Sequence, residues 1–360
     1  MQIPEIKEQN KLKDCSKERV RPQPQEIVDL MRAYGVSTLS EIGMIDSSRD
    51  ADDIRWNYVI DRTFVLRFCN APEMTEQRME DLNRLIERYR AFGFQCPAFR
   101  KNANGSFFLK WQDLTVYLSD YIDLPLGVDV AEEDKDALRE EIDGFIVRFM
   151  ERYKDVDLIP TMGLYSLFDL CPFDVPLGID EKQQNLNNVC HALRATGEDD
   201  LAQRLAQQNE AVRAYLLTVY RTLPHCVTQG DENLSNVLVD GRHVAGLIDF
   251  NLAGTDVCVN LIANNADFAL DLEHDRAIDP DEVLCSALAN YRRNAEKMLS
   301  DYRATEAERE ALPYYAWIVL ASQYPYACAY IDRIGKAECR ESTLAFLDRL
   351  AKLDPAALAV

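Results

Sequence analysis

No run of about 18 apolar residues occurs in this chain, so no membrane-spanning helix is expected. The opening segment MQIPEIKEQNKLKD lacks the apolar core of a secretory leader. Histidine is scarce: four are present, at positions 191, 225, 243 and 274, and no two have metal-ligand spacing. None of the ten cysteines forms a C-x-x-C pair. They are scattered singly through apolar segments, where free cysteine behaves as a small hydrophobe. This argues against a zinc site or a disulfide framework, and for a reducing, cytoplasmic setting. A basic surplus is also missing, since 40 Lys and Arg face 61 Asp and Glu, a net charge of −21. Nucleic acid and anionic membranes need a basic face, so neither is an expected partner. There is no internal repeat and no low-complexity tract. What remains is an ordinary globular composition, 47% hydrophobic over 360 residues, enough for one large domain or two smaller ones.

Residues 1–25 are polar and end in RPQPQ, the pattern of a loosely held arm, and 26–34 carry apolar residues at helical spacing. The runs TLSEIGMID, IRWNYVID and TFVLRFCN read as strands, the last two joined by a turn at Asp61-Arg62. Arg67 lies in the middle of the third, where a charge needs a partner or a cleft. Residues 73–92 form an amphipathic helix with Glu76, Glu80 and Glu87 off its apolar stripe. Further strands follow, with turns at Asn104-Gly105 and near Asp113. After LPLG the pattern becomes helical, with helices expected over 134–153, 179–196, 199–221, 280–299, 304–334 and 341–353. The connection 154–178 is long for a compact domain. The expected plan is α+β: an arm and short helix over 1–35, a small antiparallel-sheet lobe over 36–122, and a large helical lobe over 123–360. A cleft between two such lobes is a natural ligand site.

The stretch TQGDENLSNVLVDGRHVAGLIDF, residues 228–250, carries the chemistry. Asp240-Gly241 between two β-rich runs marks a hairpin. Folding it brings Asn236, before the first strand, near Asp249, after the second, with Asp231 upstream. Oxygen ligands of this kind suit a hard divalent cation. Phosphoryl transfer from ATP needs a carboxylate near the acceptor hydroxyl, oxygen ligands for the metal, and a cation on the phosphates. Asp231 precedes Asn236 by five residues, the offset of the kinase catalytic loop, and Asp249-Phe250 matches the start of D-F-G.

On these motifs the chain resembles the aminoglycoside phosphotransferase and choline kinase group of small-molecule kinases, which share the protein-kinase-like two-lobe fold. That family reads H-G-D-x-x-x-x-N, a hairpin, then I-D-[FW]; here the run is Gln229-Gly230-Asp231 to Asn236, then Ile248-Asp249-Phe250. The resemblance covers roughly residues 36–300 and implies an ATP-dependent phosphotransferase acting on a hydroxyl of a small molecule. It implies Asp231 as catalytic base and Asn236 and Asp249 as Mg²⁺ ligands. Arg67 stands where the family has its phosphate-pairing lysine, with Glu80 as its helix partner. The resemblance also implies that Ser119, Asp120, Tyr121 and Ile122 form the hinge that meets adenine.

Four features depart from the family pattern. Gln229 replaces its histidine, Arg67 its lysine, and Asn260-Leu261 its Asp-Leu pair, while the loop DSSRDADD before the strands is acidic and has no glycine. They keep open a second reading, a nucleotide-binding pseudokinase with a regulatory role. A protein kinase is disfavoured, because no A-P-E element follows Asp249. The acidic stretch 267–282 raises a cationic acceptor such as an amino alcohol or aminoglycoside, against the plainer reading of a solvated surface. The aromatic cluster Tyr314, Tyr315, Trp317, Tyr324, Tyr326 and Tyr330 reads as a helical core stripe.

Overall fold

Strand chemistry and turn chemistry together build the first sheet. In the computed structural model, which describes residues 20–48, 53–70, 74–172, 174–175, 177–270, 272 and 275–360, helix α1 (Pro24–Ala33) precedes strands β1 (Ile42–Asp46), β2 (Arg55–Ile60) and β3 (Phe64–Cys69). Most of the expected arm and the centre of the acidic DSSRDADD loop fall outside the described residues. Asp61 and Arg62 both take φ of 49°, a left-handed turn geometry, and with Thr63 they set β2 against β3. Helix α2 (Glu76–Ala91) follows, capped by Thr75, whose hydroxyl accepts from the Arg78 N–H. Strands β4 (Phe99–Arg100), β5 (Phe108–Trp111) and β6 (Leu114–Asp120) complete an antiparallel sheet in the order β1-β2-β3-β6-β4, with β5 also on β6. One face carries a core of Trp56, Tyr58, Phe68 and Trp111 rings in tilted and edge-on contacts, against which Ile27 and Met31 of α1 pack.

The chain then enters helix α3 (Glu132–Tyr153), followed by α4 (Glu181–Ala195), α5 (Asp199–Val219) and β7 (His225–Thr228). The long connection between α3 and α4 contains no helix among its described residues, and its Met162 bridges Thr255. The expected hairpin is β8 (Val237–Asp240) and β9 (His243–Leu247). Strand β10 (Gly254–Val257), helix α6 (Cys258–Asn265) and helices α7 (Pro280–Asp301), α8 (Glu306–Ser322), α9 (Tyr324–Gly335) and α10 (Ala337–Lys352) finish the chain.

Two compact units result: Met1–Leu138 with Glu232–Phe250, and Arg139–Asp231 with Asn251–Val360. The boundary therefore differs from the one at residue 122 read from sequence, and the hairpin belongs with the sheet. The reason is backbone pairing. Gln95, just before β4, bridges Gly246, and Leu126 bridges Leu238. In the second unit, α4, α5, α8, α9 and α10 pack on one another. Helix α8 is nearly all buried from Ala311 to Ser322. The single helix expected over 304–334 is broken at Gln323, whose ψ of 140° is extended, because Pro325 begins a new helix. Tyr315, Trp317 and Tyr330 are core residues as the stripe implied, whereas Tyr324 is exposed and Tyr314 stacks on Tyr215. Among the described residues no helix is long and apolar enough to cross a membrane.

Candidate active site

The hairpin is a short ladder with one fault. Val237 faces Leu247 and Leu238 faces Gly246, but Val239 faces Val244, so Ala245 is an extra residue. The bulge turns the Ala245 carbonyl outward, where it accepts from Gln95 N–H at 2.8 Å, and Gln95 C=O in turn accepts from Leu247 N–H at 3.1 Å. Gly246 is the only residue that fits there, since a Cβ would lie 1.9 Å from the Gln95 carbonyl oxygen. On the other side Val239 N–H donates to the Pro125 carbonyl at 2.9 Å. The hairpin is thus held at both edges.

At its open end the strands deliver the two expected metal ligands side by side. The Asn236 carbonyl accepts from Ile248 N–H at 2.9 Å, and Asp249 is the next residue. Asn236 is buried. Asp249 has φ of 55°, a left-handed conformation that asparagine and aspartate tolerate best and that often marks a functional position. Phe250 behind it packs edge-on against Tyr89 of α2, ring centroids 5.6 Å apart. Among the described residues no group of three or more His, Cys, Asp or Glu could hold a metal alone. One amide oxygen and one carboxylate instead suit Mg²⁺, which keeps waters and shares its coordination with substrate phosphates.

Arg67 on β3 lies in the same unit as this pair and feels the charge of Asp249. Burial pulls its guanidinium pKa down, but Tyr117 and Asp249 outweigh that and hold it above the usual value. The expected pair with Glu80 does not form. Glu80 is half exposed on α2 and binds Lys101 at 2.9 Å. Arg67 donates instead to Asn57 and Tyr117, two residues the sequence reading missed. A signal for Asn57 existed, as a lone amide in the apolar run WNYVI two strand positions from Arg55.

The hinge residues divide into paired and open groups. Ser119 and Asp120 end β6 and are paired with β3. The Asp120 carboxylate is occupied by Arg90 at 3.0 Å and Arg100 at 2.6 Å. Tyr121 N–H donates to the Thr63 carbonyl at 2.8 Å. Among the described residues, the Ile122 N–H and the Tyr121 carbonyl take no backbone partner.

Asp231 belongs to the second unit. Strands β7 and β10 pair there antiparallel, with Thr228 opposite Gly254. Gln229 follows Thr228 and is fully buried. Its Oε1 accepts from the Asp231 N–H at 2.7 Å, closing a local ring across Gly230. Gly230 has φ of +81°, and a Cβ there would lie 3.0 Å from the Leu252 carbonyl oxygen. Glutamine in place of histidine therefore still holds the loop that carries Asp231. Asn260, in place of aspartate, donates to the Asp256 carboxylate at 3.0 Å and to the Tyr165 carbonyl at 2.7 Å. Burial pushes the Asp256 carboxyl up to about 7, against the pull of the Asn260 and Val257 hydrogen bonds and Lys182.

The acidic stretch is mostly committed internally. Asp267 accepts from Tyr326 at 2.6 Å, Asp275 pairs with Lys336 at 2.6 Å, Asp279 caps α7 and Asp281 pairs with Arg349. Asp271 and Glu273 of this stretch lie outside the described residues. A cavity of about 390 Å³ near Asp279 and Glu282 contains none of the expected site residues.

A family profile described as "APH: Phosphotransferase enzyme family" matches residues 50–259, more than half of the chain. No curated protein matches the sequence significantly. Three solved structures share the fold. The amicoumacin kinase hAmiN, in complex with AMP-PNP, Ca²⁺ and Ami, has a TM-score of 0.51 at 10% identity, covering 92% of each chain. Spectinomycin phosphotransferase APH(9)-Ia, in complex with ADP and spectinomycin, has 0.50 at 10% identity, covering 92% of this chain and 100% of that one. An aminoglycoside phosphotransferase from Alicyclobacillus acidocaldarius has 0.50 at 12% identity, covering 94% and 98%.

Proposed function

Since this chain belongs to the APH phosphotransferase enzyme family, we propose that it transfers the γ-phosphate of ATP to a hydroxyl of a small molecule. The observation that carries the reading is the hairpin mouth. Asn236 and Asp249 sit together there, and Arg67 of the same unit feels the Asp249 charge. Asn236 and Asp249 would hold Mg²⁺, which would supply charge neutralisation at the phosphates. The chain's own groups supply the rest. Asp231 accepts the proton of the acceptor hydroxyl as its oxygen bonds to the γ-phosphorus and the bond to the β,γ-bridging oxygen breaks, releasing ADP. Arg67 holds the α/β-phosphates, where a planar fork binds two oxygens at once. The open backbone groups of Tyr121 and Ile122 serve adenine.

The test is a coupled ADP-release assay with Mg–ATP across a panel of neutral and cationic alcohols. Turnover on at least one acceptor, abolished in Asp231→Ala while Mg–AMP-PNP still binds, is the expected result. Transfer by Asp231→Ala at the wild-type rate would remove Asp231 as the base. Nucleotide binding with no turnover across the panel would turn the assignment toward a regulatory nucleotide-binding protein.

A further inference from the structure

Three polar side chains line up across the sheet of the first unit. Asn57 on β2 is the cross-strand partner of Arg67 on β3, and Arg67 is the partner of Tyr117 on β6. Residues directly opposite one another project to the same face, so the three form a row. Arg67 Nε donates to Asn57 Oδ1 at 2.7 Å, and Nη1 donates to the Tyr117 hydroxyl at 3.2 Å. The Asn57 amide is itself oriented, because its Nδ2 donates to Ser47 Oγ at 3.0 Å and leaves Oδ1 turned to the arginine. The Tyr117 ring is gripped edge-on by Phe99 and Phe108, at 5.7 and 6.2 Å between centroids. Asn57 and Tyr117 are both buried.

Each carboxylate of helix α2 has another partner. Glu76 accepts from Ser106 and from Phe107 N–H, Glu80 binds Lys101, Asp81 binds Arg84, and Glu87 binds Arg90. The guanidinium suits such a row. It carries five N–H donors in a rigid fork. The row takes Nε and Nη1, and no described residue accepts from Nη2. A lysine ammonium has no second edge of this kind.

We propose that Asn57 and Tyr117 are positioning residues for the phosphate-binding cation. They replace the helix carboxylate, fix Arg67 from the sheet and present its Nη2 edge to the α/β-phosphates. The proposal rests on the reading of Arg67 as the phosphate-pairing group. It explains two departures from the family pattern together, arginine for lysine and the absent helix ion pair.

The test uses the full chain, with Mg–AMP-PNP binding by calorimetry and slow ATP hydrolysis for KM and kcat. Asn57→Leu and Tyr117→Phe should each weaken nucleotide binding about ten-fold, as expected for loss of one hydrogen bond to a charged group, and raise KM for ATP with kcat little changed. Glu80→Ala should bind as wild type. Tyr117→Phe removes a single oxygen and keeps the ring contacts, so it remains informative if Asn57→Leu fails to fold. Glu80→Ala weakened ten-fold with Tyr117→Phe unchanged would overturn the proposal and return the cation to the helix. Arg67→Ala separates the two levels. If it binds Mg–AMP-PNP as tightly as wild type, the phosphate reading of Arg67 fails; if it loses binding while both row variants keep it, only the positioning proposal fails.

Discussion

Replacing Gly246 by alanine should unseat the hairpin that carries Asn236 and Asp249. The added Cβ would stand 1.9 Å from the Gln95 carbonyl oxygen, 2.8 Å from its carbon and 3.1 Å from its Cα. Contact distances near 3.5 Å require a retreat of roughly 1.5 Å, and the obstacle is backbone rather than a flexible side-chain tip. That retreat breaks the Gln95 N–H to Ala245 bond and the Leu247 N–H to Gln95 bond together. Two lost backbone hydrogen bonds and the strain of overpacking sum to about 3–5 kcal/mol, a large share of the stability of an ordinary domain. Urea unfolding followed by tryptophan fluorescence reads the stability. Calorimetric titration with Mg–AMP-PNP reads the site, and affinity should fall even where the variant remains folded. An unfolding midpoint and affinity equal to wild type would refute the close approach and with it the account of how the hairpin is held.

Three further predictions concern the base loop, the cation and a buried acid. Gln229→Leu removes the acceptor for the Asp231 N–H and should lower kcat about ten-fold with KM for ATP held, while Gln229→His, which keeps an acceptor, should recover most of it. Arg67→Lys loses the planar fork that spans the row and should raise KM for ATP by about ten-fold in a steady-state ADP-release assay, despite keeping the charge. Burial pushes the Asp143 carboxyl up to about 7, with Lys297 opposing and Asp267 and Glu140 adding, against an ordinary 3.8. The folded chain therefore holds that proton more tightly than the unfolded one between about pH 4 and 7, and its stability falls as pH rises through that window. Asp143→Asn should match wild type near pH 4 and exceed it by about 2–4 kcal/mol above pH 7 in chemical denaturation. A constant offset across pH would show that the carboxyl does not titrate in this way.

Much of the architecture was legible because it depends on short-range pattern. The apolar stripe of α2, the helical pattern of α3 and α5, the turn at Asp61-Arg62 and the Asp-Gly hairpin all follow from local chemistry. Asn236 and Asp249 were legible because the hairpin itself joins them, whatever surrounds it. The partner of Arg67 was not. Sequence shows that a charge inside a strand needs company, but cross-strand register chooses it, and register placed Asn57 and Tyr117 opposite while Lys101 took Glu80. The break between α8 and α9 was signalled by Pro325 and overlooked because the apolar periodicity runs on through it. The role of Gln229 was hidden for a different reason. Its bond to the Asp231 N–H depends on Gly230 at φ of +81°, a backbone state that composition does not reveal.

Helix α2 is joined to the hairpin by Tyr89 against Phe250, and the turn beyond the helix by Gln95 against Gly246, yet its carboxylates leave Arg67 alone. The two halves of the proposed nucleotide site therefore have separate mechanical supports. A displacement of α2 would travel through the Phe250 ring to the neighbouring Asp249, whereas Arg67, the proposed phosphate cation, would stay anchored in the strands. In such an arrangement metal affinity and phosphate affinity can be adjusted one at a time. A perturbation on the outer face of α2 would register as a changed magnesium requirement before it registered as a changed affinity for ATP.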